Sequence, residues 1–403
     1  MPGSGNNLWF TTGNGSVLVT TNAGTNFTSR ATGVPSLTDI TFRNSTTGIA
    51  VGGSFVLEAT SQIVITTNSG QDWFPAMNIN GSILTAAHFL PQNPNIVFAA
   101  GGSNMFKSTN GGLNWTQVNV NFLMDFTASI TSVTSGPNTK LFAFGGNFVP
   151  PFETKVFVST DMGATWNQIT AGFALNDYIT AAYVIPGTST IIAATGDGSL
   201  YRSTNGGDNF SPMTVNPPIQ IGSSFEAITG DGLGNVYVAG LDGSVYKMPA
   251  GSNTATPTTF QPPANNGINT IVKGSSDGDN PLIDNSYYVG CGNGAIYKTS
   301  NGGGTTGISS LGNPVVNSFE LYQNYPNPFN PSTTINYNLI KNGYVIIKVY
   351  NSSGQEVSTL TNQFHKAGYY SVSFNASGLS SGVYFYKIFI DGFSETKSMV
   401  LIK

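Results

Sequence analysis

The chain has 403 residues, of which only 8% are charged, and its 15 Lys and Arg against 19 Asp and Glu give a net charge of −4. That balance leaves no clustered basic surface for a nucleic-acid groove or an anionic membrane. One cysteine, Cys291, excludes an internal disulfide. Two histidines, His88 and His365, leave little material for a metal site or a Ser/His/Asp triad, and no run of about 18 apolar residues could cross a membrane as a helix.

Glycine (49 residues) and aromatics (12%) together suit many short strands joined by tight turns, not a disordered chain. The first residues, MPGSGNNLWF, lack the basic and apolar regions of a secretory leader. From there one pattern recurs, Ser/Thr-Thr-Asn/Asp-x-Gly-x-x-Trp/Phe. It places Asn22, Gly24 and Phe27; Asn68, Gly70 and Trp73; Asn110, Gly112 and Trp115; Asp161, Gly163 and Trp166; and Asn205, Gly207 and Phe210. Successive Asn/Asp positions lie 46, 42, 51 and 44 residues apart. An eroded copy begins at Thr299, with Asn301 in the Asn/Asp place, and the stretch from Gly243 to Ser252 keeps the strand but not the motif.

The flanks repeat as well. A short strand precedes each motif (SVLVTTN, QIVITTN, NMFKSTN), and another precedes that one, ending in small residues (GIAVGG, IVFAAGG, LFAFGG). Seven copies of both occur. Farther upstream lies an inner-strand candidate in six copies, including LTDITF, LTAAHF and ITAAYV, and the motif aromatic opens a fourth strand. Four strands in about 45 residues is the period of propeller blades. Small residues such as Ala86, Ala87, Ser132, Ala181 and Ala227 suit an inner strand beside a crowded channel, and runs such as IVFAA suit a strand buried on both faces. The first unit starts at its second strand and the seventh shows no clear fourth, so the natural product is expected to carry an upstream leader and one more inner strand.

The repeated motif resembles the Asp-box, or BNR repeat, of sialidase-type propellers over residues 1–311. The resemblance implies a hairpin turn between the third and fourth strands of a blade. In it the Asn/Asp side chain holds backbone amides, Gly takes a positive φ, and the aromatic plugs the space between strands. The motif is structural in that family and implies no catalysis. The same repeat is similar to that of photosystem II stability factors, which act by binding protein.

Residues 312–318 read as a Gly/Ser/Pro linker. Beyond it, strands that alternate apolar and polar residues are split by the turn signals NSSGQ, HKAG and SGLSSG, the pattern of a small antiparallel, Ig-like sandwich over 319–403. Four segments carry a second resemblance: ELYQNYPNPFNPSTTINY, VYNSSGQEV, LSSGVYFYKI and the ending KSMVLIK. They look like the type A sorting domain of type IX secretion substrates. That resemblance implies export across the outer membrane of a diderm bacterium, contact with the secretion machinery, and removal of the domain by a sortase-like protease. Its marker residues here are Tyr325, Pro326, Asn327, Pro328, Phe329, Gly382, Tyr384 and Lys403.

The sialidase resemblance would require three arginines on a substrate carboxylate. The chain has only Arg30, Arg43 and Arg202, and Arg202 fills the repeat column that holds Lys107, Lys247 and Lys298. Paired-carboxylate hydrolysis across the channel mouth would draw on Asp39, Asp177 and Glu226, with Asp125 nearby. The same residues read as strand-end acids satisfied by hydroxyls and backbone, and this reading is preferred. A column of Thr38, Thr85, Thr131, Thr180, Glu226 and Asn269 is expected to line the channel, and His88 reads as a satisfied polar residue. The expected fold is therefore all-β: a seven-bladed propeller and a small sandwich. The expected role is that of an exported, non-enzymatic binding or structural module without a cofactor. An extracellular glycoside hydrolase and a self-assembling surface protein are the alternatives.

Overall fold

A computed structural model describes residues 7–54, 60–120, 122, 124–135, 138–147, 150–170, 172–220, 222–231, 233–260, 267–273, 287–291, 295–299, 308–310, 320–321, 324, 327–339, 343–365, 368–390 and 393–402. No helix occurs among them. The chain divides into two compact units, Met1–Gly312 and Asn313–Lys403.

Among the described residues the first unit holds seven sheets taken in chain order, antiparallel except for one short parallel edge strand, Thr214–Val215, in the sixth. Sheets two to seven open with the inner strands Leu37–Phe42, Ala86–Phe89, Phe126–Ser135, Ile179–Val184, Phe225–Gly230 and Ile268–Lys273. Each then adds three strands outward by hairpins. Sheet one has three strands among the described residues, Leu8–Thr11, Ser16–Thr20 and Thr28–Ala31. In sheet seven the strand Ile308–Ser310 pairs with Ile296–Thr299. The expectation that the seventh unit lacks a clear fourth strand is thereby corrected: the strand is short and has no aromatic to announce it.

Second strands lie buried end to end, as in Val97–Gly101, Ile191–Thr195, Val236–Gly240 and Tyr287–Cys291. Both their faces meet neighbouring sheets, so alternation vanishes and near-continuous apolar runs replace it. The glycines that close these strands have a steric cause. A Cβ on Gly52, Gly101 or Gly145 would stand 2.0, 1.8 or 2.1 Å from the carbonyl oxygen of Ser36, Ile83 or Phe126, where the chain crosses toward the inner strand.

Apolar clusters join each sheet to the next. Trp9, Phe42 and Trp73 fill the space between sheets one and two. Phe98, Phe122 and Phe157 fill that between three and four, and Phe225, Val238 and Tyr246 that between five and six. The last joint is between sheets seven and one, where Tyr288 and Ile296 pack on Leu8, Phe10 and Leu18. The Tyr288 hydroxyl also donates to the Ala23 carbonyl (3.0 Å). The sheets therefore form a closed ring, the arrangement of a β-propeller.

The second unit is a sandwich of a three-stranded and a four-stranded sheet. Ile335, Tyr337, Ile347, Val349, Tyr386 and Ile388 are fully buried between them. The inward positions alternate along Gly343–Tyr350 and Gly382–Ile390, as two half-exposed sheets require.

Candidate functional site

Five of the six inner strands carry a bulge where two residues face one on the second strand, as between Leu37 and Asp39, Thr127 and Ser129, and Ile179 and Ala181. The extra residue falls at Thr38, Ala128, Thr180, Glu226 and Asn269, with Thr85 at the same place in sheet three. Thr131 is not in this column: it pairs with Phe142 farther along, and Ala128 holds its place. The column is a belt and not a display of free hydroxyls. Thr38 donates to the Leu84 carbonyl (2.7 Å), Thr85 to that of Thr127 (2.6 Å) and Thr180 to that of Phe225 (2.5 Å). Each bond runs from one inner strand to the residue before the bulge of the next.

One residue farther along, Asp39 also reaches the next sheet. Its Oδ2 accepts the Ala87 amide (2.8 Å) and its Oδ1 the Ile40 amide (2.8 Å). Burial raises its pKa to about 6 against these two bonds, which lower it. Ser129 does the equivalent in sheet four, donating to the Ala182 carbonyl (3.3 Å). His88 lies deeper, its Nε2 3.0 Å from the Ser132 hydroxyl. Burial pushes it down to about 4, so the imidazole is neutral at physiological pH.

The other two candidate acids sit together, apart from Asp39. Glu226 accepts the Ser224 hydroxyl. Asp177 is 5% exposed, and its Oδ1 accepts the Tyr178 amide (2.8 Å). The Tyr178 phenol is raised by burial and by the charges of Glu226 and Asp177, which places both acids around that ring. Asp177 Oδ2 makes no hydrogen bond of ordinary geometry and faces Thr195 and Asp197. Burial raises the Asp177 pKa. Burial also resists charge on Asp197, but the Ser199 amide and the Thr195 and Ser199 hydroxyls outweigh it and hold Asp197 down. The charge of Asp197 adds to the rise at Asp177, and Asp177 in turn helps to hold Asp197 down. Asp125 is exposed ahead of its inner strand, where its amide meets Asn147.

Asp197 was not among the sequence candidates. It stands in the hairpin TGDGS, where Thr195 donates to its Oδ1 (2.8 Å) much as Thr12 does to Asn14 in TGNGS. Nothing in the repeat separates an acid beside a second acid from an ordinary turn Asn.

The five repeat turns share one geometry. In the first, Gly24 donates to the Thr20 hydroxyl (3.0 Å) and Asn26 to Asn22 Oδ1 (2.9 Å). Gly70, Gly112, Gly163 and Gly207 make the same bond to Thr66, Ser108, Ser159 and Ser203. The five glycines have φ between 77° and 95°. Asn68, Asn110 and Asn205 accept the amide four residues on, and Asp161 does the same with Thr165. The Thr165 hydroxyl and amide, with Ser159, hold Asp161 down to about 2. The aromatics enter the core between their own sheet and the one before: Phe27, Trp73, Trp115, Trp166 and Phe210 each pack there. Trp9 and Lys107 donate from the preceding sheet to turn carbonyls at Ser69 and Met162. Arg30, Arg43 and Arg202 belong to sheets one, two and five; Arg43 is tied to Asn95 and Arg202 to the Ser252 carbonyl. They assemble no carboxylate clamp. Among the described residues no group of three or more His, Cys, Asp or Glu is arranged for a metal. Nor is any helix long and apolar enough to cross a membrane.

In the second unit, Tyr325, Pro326 and Lys403 lie outside the described residues. Asn327 and Phe329 lock onto the final strand. Asn327 Oδ1 accepts the Val400 amide (2.8 Å), while Phe329 donates to Val400 and accepts from Ile402. Tyr384 is buried, and its hydroxyl donates to Ser380 (2.8 Å). Pro328 is half-buried beside them, and Gly382 opens the strand that carries Tyr384. The two ends of the motif, far apart in sequence, thus form one structural element.

A family described as the secretion system C-terminal sorting domain matches residues 323–403. No curated protein matches the chain in sequence. Among solved structures the chain is similar to Sqt1 of Saccharomyces cerevisiae, at 12% identity and TM-score 0.53, over 92% of this chain and 93% of that one. It is also similar to YCF48 bound to D1 peptide (14%, TM-score 0.50, 84% and 91%) and to YCF48 from Cyanidioschyzon merolae (17%, TM-score 0.50, 70% and 88%). At such identities these likenesses speak for the fold alone, and that fold is a β-propeller. The C-terminal unit is a type IX sorting tail, which places the protein among those secreted or held at the outer-membrane surface.

Proposed function

We propose that the propeller is a non-enzymatic binding module of the Asp-box type, displayed outside a diderm bacterium after its tail has engaged the type IX machinery and been cut by a sortase-like protease. The observation that carries this reading is the inner belt. Thr38, Thr85, Thr180 and Asp39 hold the backbone of the next sheet, so the channel wall binds itself together instead of offering free acids and hydroxyls to a substrate. Glu226 and Asp177 are likewise engaged by Ser224 and by the Tyr178 amide and the neighbouring Asp197. A glycosidase of the paired-carboxylate type needs two acids standing apart across the scissile bond, by about 5–9.5 Å. Asp177 is instead buried beside Asp197. YCF48, of similar fold, has been seen with a peptide bound, and protein binding is the use proposed for this ring.

A turnover screen on a panel of polysaccharides, run beside a glycan array, tests the reading. No hydrolysis is expected. Hydrolysis abolished by Asp39→Asn or Glu226→Gln would replace the binding role with an enzymatic one.

A further inference from the structure

Lys107, Lys247 and Lys298 lie over the rings of Phe98, Tyr237 and Tyr288, at 5.6, 5.5 and 5.3 Å, toward the ends of their third strands. Lys140 pairs with Asp208 at that same end. The opposite end, where second and third strands meet, carries Asp177, Asp197, Glu226 and Asp242 around sheets five and six. A groove of about 510 Å³ opens there. Its lining includes Asp197, Met213, Val215, Pro218, Ile219 and Gln220, and among the described residues no Lys or Arg. That is within the usual ~300–1,000 Å³ of ligand pockets.

The groove is firmly built. Ile219 is buried, Tyr246 donates to the Pro217 carbonyl (3.0 Å), and the Gln220 amide meets Asp242 (3.4 Å). Asp197 is exposed, with its Oδ1 held by Thr195 and the Ser199 amide (2.8 Å each) and the Ser199 hydroxyl beside it. Behind it the buried Asp177 Oδ2 points at Asp197 without an ordinary hydrogen bond. An edge strand runs along the same groove. Thr214–Val215 lies parallel to Thr254–Pro257, with Thr214 and Asn216 donating to Asn253 and Ala255. In a parallel ladder the residue between two such donors turns its own amide and carbonyl away from the partner strand. Val215 therefore offers a backbone edge to an extended chain.

We propose that this groove receives an extended peptide segment whose Arg or Lys meets Asp197, with Asp177 behind it, and whose neighbouring apolar side chain rests on Met213, Pro218 and Ile219. The proposal rests on the binding-module reading and names its site. An edge strand and an apolar floor beside the acid pair favour a peptide over a bare cation, which would use the carboxylates alone.

The test uses the full chain and two mixtures of capped heptapeptides, one with a fixed central Arg and one with a fixed central Glu, all other positions randomised. The Arg mixture is expected to be retained, with apolar residues enriched beside the Arg. Asp197→Asn, which keeps the Oδ1 acceptor of the hairpin, should weaken retention at least fivefold. Asp208→Asn at the far end should leave it unchanged. Equal retention of the Glu mixture, or retention insensitive to Asp197→Asn, overturns the proposal. So does competition by spermine or Ca²⁺ without any apolar enrichment. The polysaccharide screen described above reads none of these quantities, so this site and the binding role can fail separately.

Discussion

Asp39 holds two backbone amides with one carboxylate, and only one of them belongs to its own strand. Burial is the stronger influence and raises its pKa from 3.8 to about 6. A raised folded-state pKa means the folded protein binds the proton more tightly than the unfolded chain. The stabilisation that follows is complete below about pH 4 and is lost as pH rises through 6. An Asn at this position does not titrate. The stability of Asp39→Asn relative to the natural protein should therefore improve between pH 4 and pH 7. Asp39 keeps part of its surface open, so the change should be about 1–2 kcal/mol, short of the roughly 3 that the full shift would give. Urea unfolding of both proteins at four pH values measures it. A difference in stability that stays constant across that range would show that Asp39 ionises like a solvent-exposed acid.

The inner strand ties neighbouring sheets of the ring together, and of the six places in its column only Ala128 has no polar side chain. Thr180→Val removes the donor to the Phe225 carbonyl while keeping the β-branched shape. It should cost about 1–2 kcal/mol of unfolding free energy. Ala128 has no hydroxyl at the equivalent place, ahead of the inner strand that begins at Ile179. Ala128→Thr should therefore add a few tenths to about 1 kcal/mol. Denaturant titrations of the two variants read opposite signs if the belt joins the sheets, and no change in either would reduce it to decoration. The belt also shows where sequence reasoning slipped. The strand motifs and turn copies were legible because each is local: Gly163 and Trp166 announce the same turn wherever they recur. The column of bulged residues was not, because Phe126–Ser135 is ten residues long and lets Thr131 masquerade as its member. The acid pair was hidden for a related reason. Asp177 and Asp197 meet only when an inter-sheet connection is laid over a hairpin, and no local pattern records that.

At the scale of the molecule, ring and tail keep separate hydrophobic cores. Tyr288 and Ile296 close the ring on Leu8, Phe10 and Leu18, and among the described residues its inter-sheet clusters are drawn from Met1–Gly312. The sandwich closes on its own interior, where Phe329 bonds Val400 and Ile402, the residues before and after Leu401. A unit that buries its own apolar surface should fold without the other. The chain ending at Gly312 is therefore expected to keep its melting temperature within about 2 °C, since it retains every residue of the ring's own clusters. In a bacterium with type IX secretion it should stay inside the outer membrane, protected from added protease, while the full chain reaches the surface or the medium. Substituting Phe329→Ala makes a finer cut. It removes a buried ring that packs 6.0 Å from Phe374 and opens a cavity worth about 3–5 kcal/mol in the sandwich alone. Export should fall while the melting transition of the propeller stays in place. Two transitions in calorimetry, only one of them moved by Phe329→Ala, would establish that folding of the tail governs delivery. A single merged transition shifted as a whole would refute the independence of the two units.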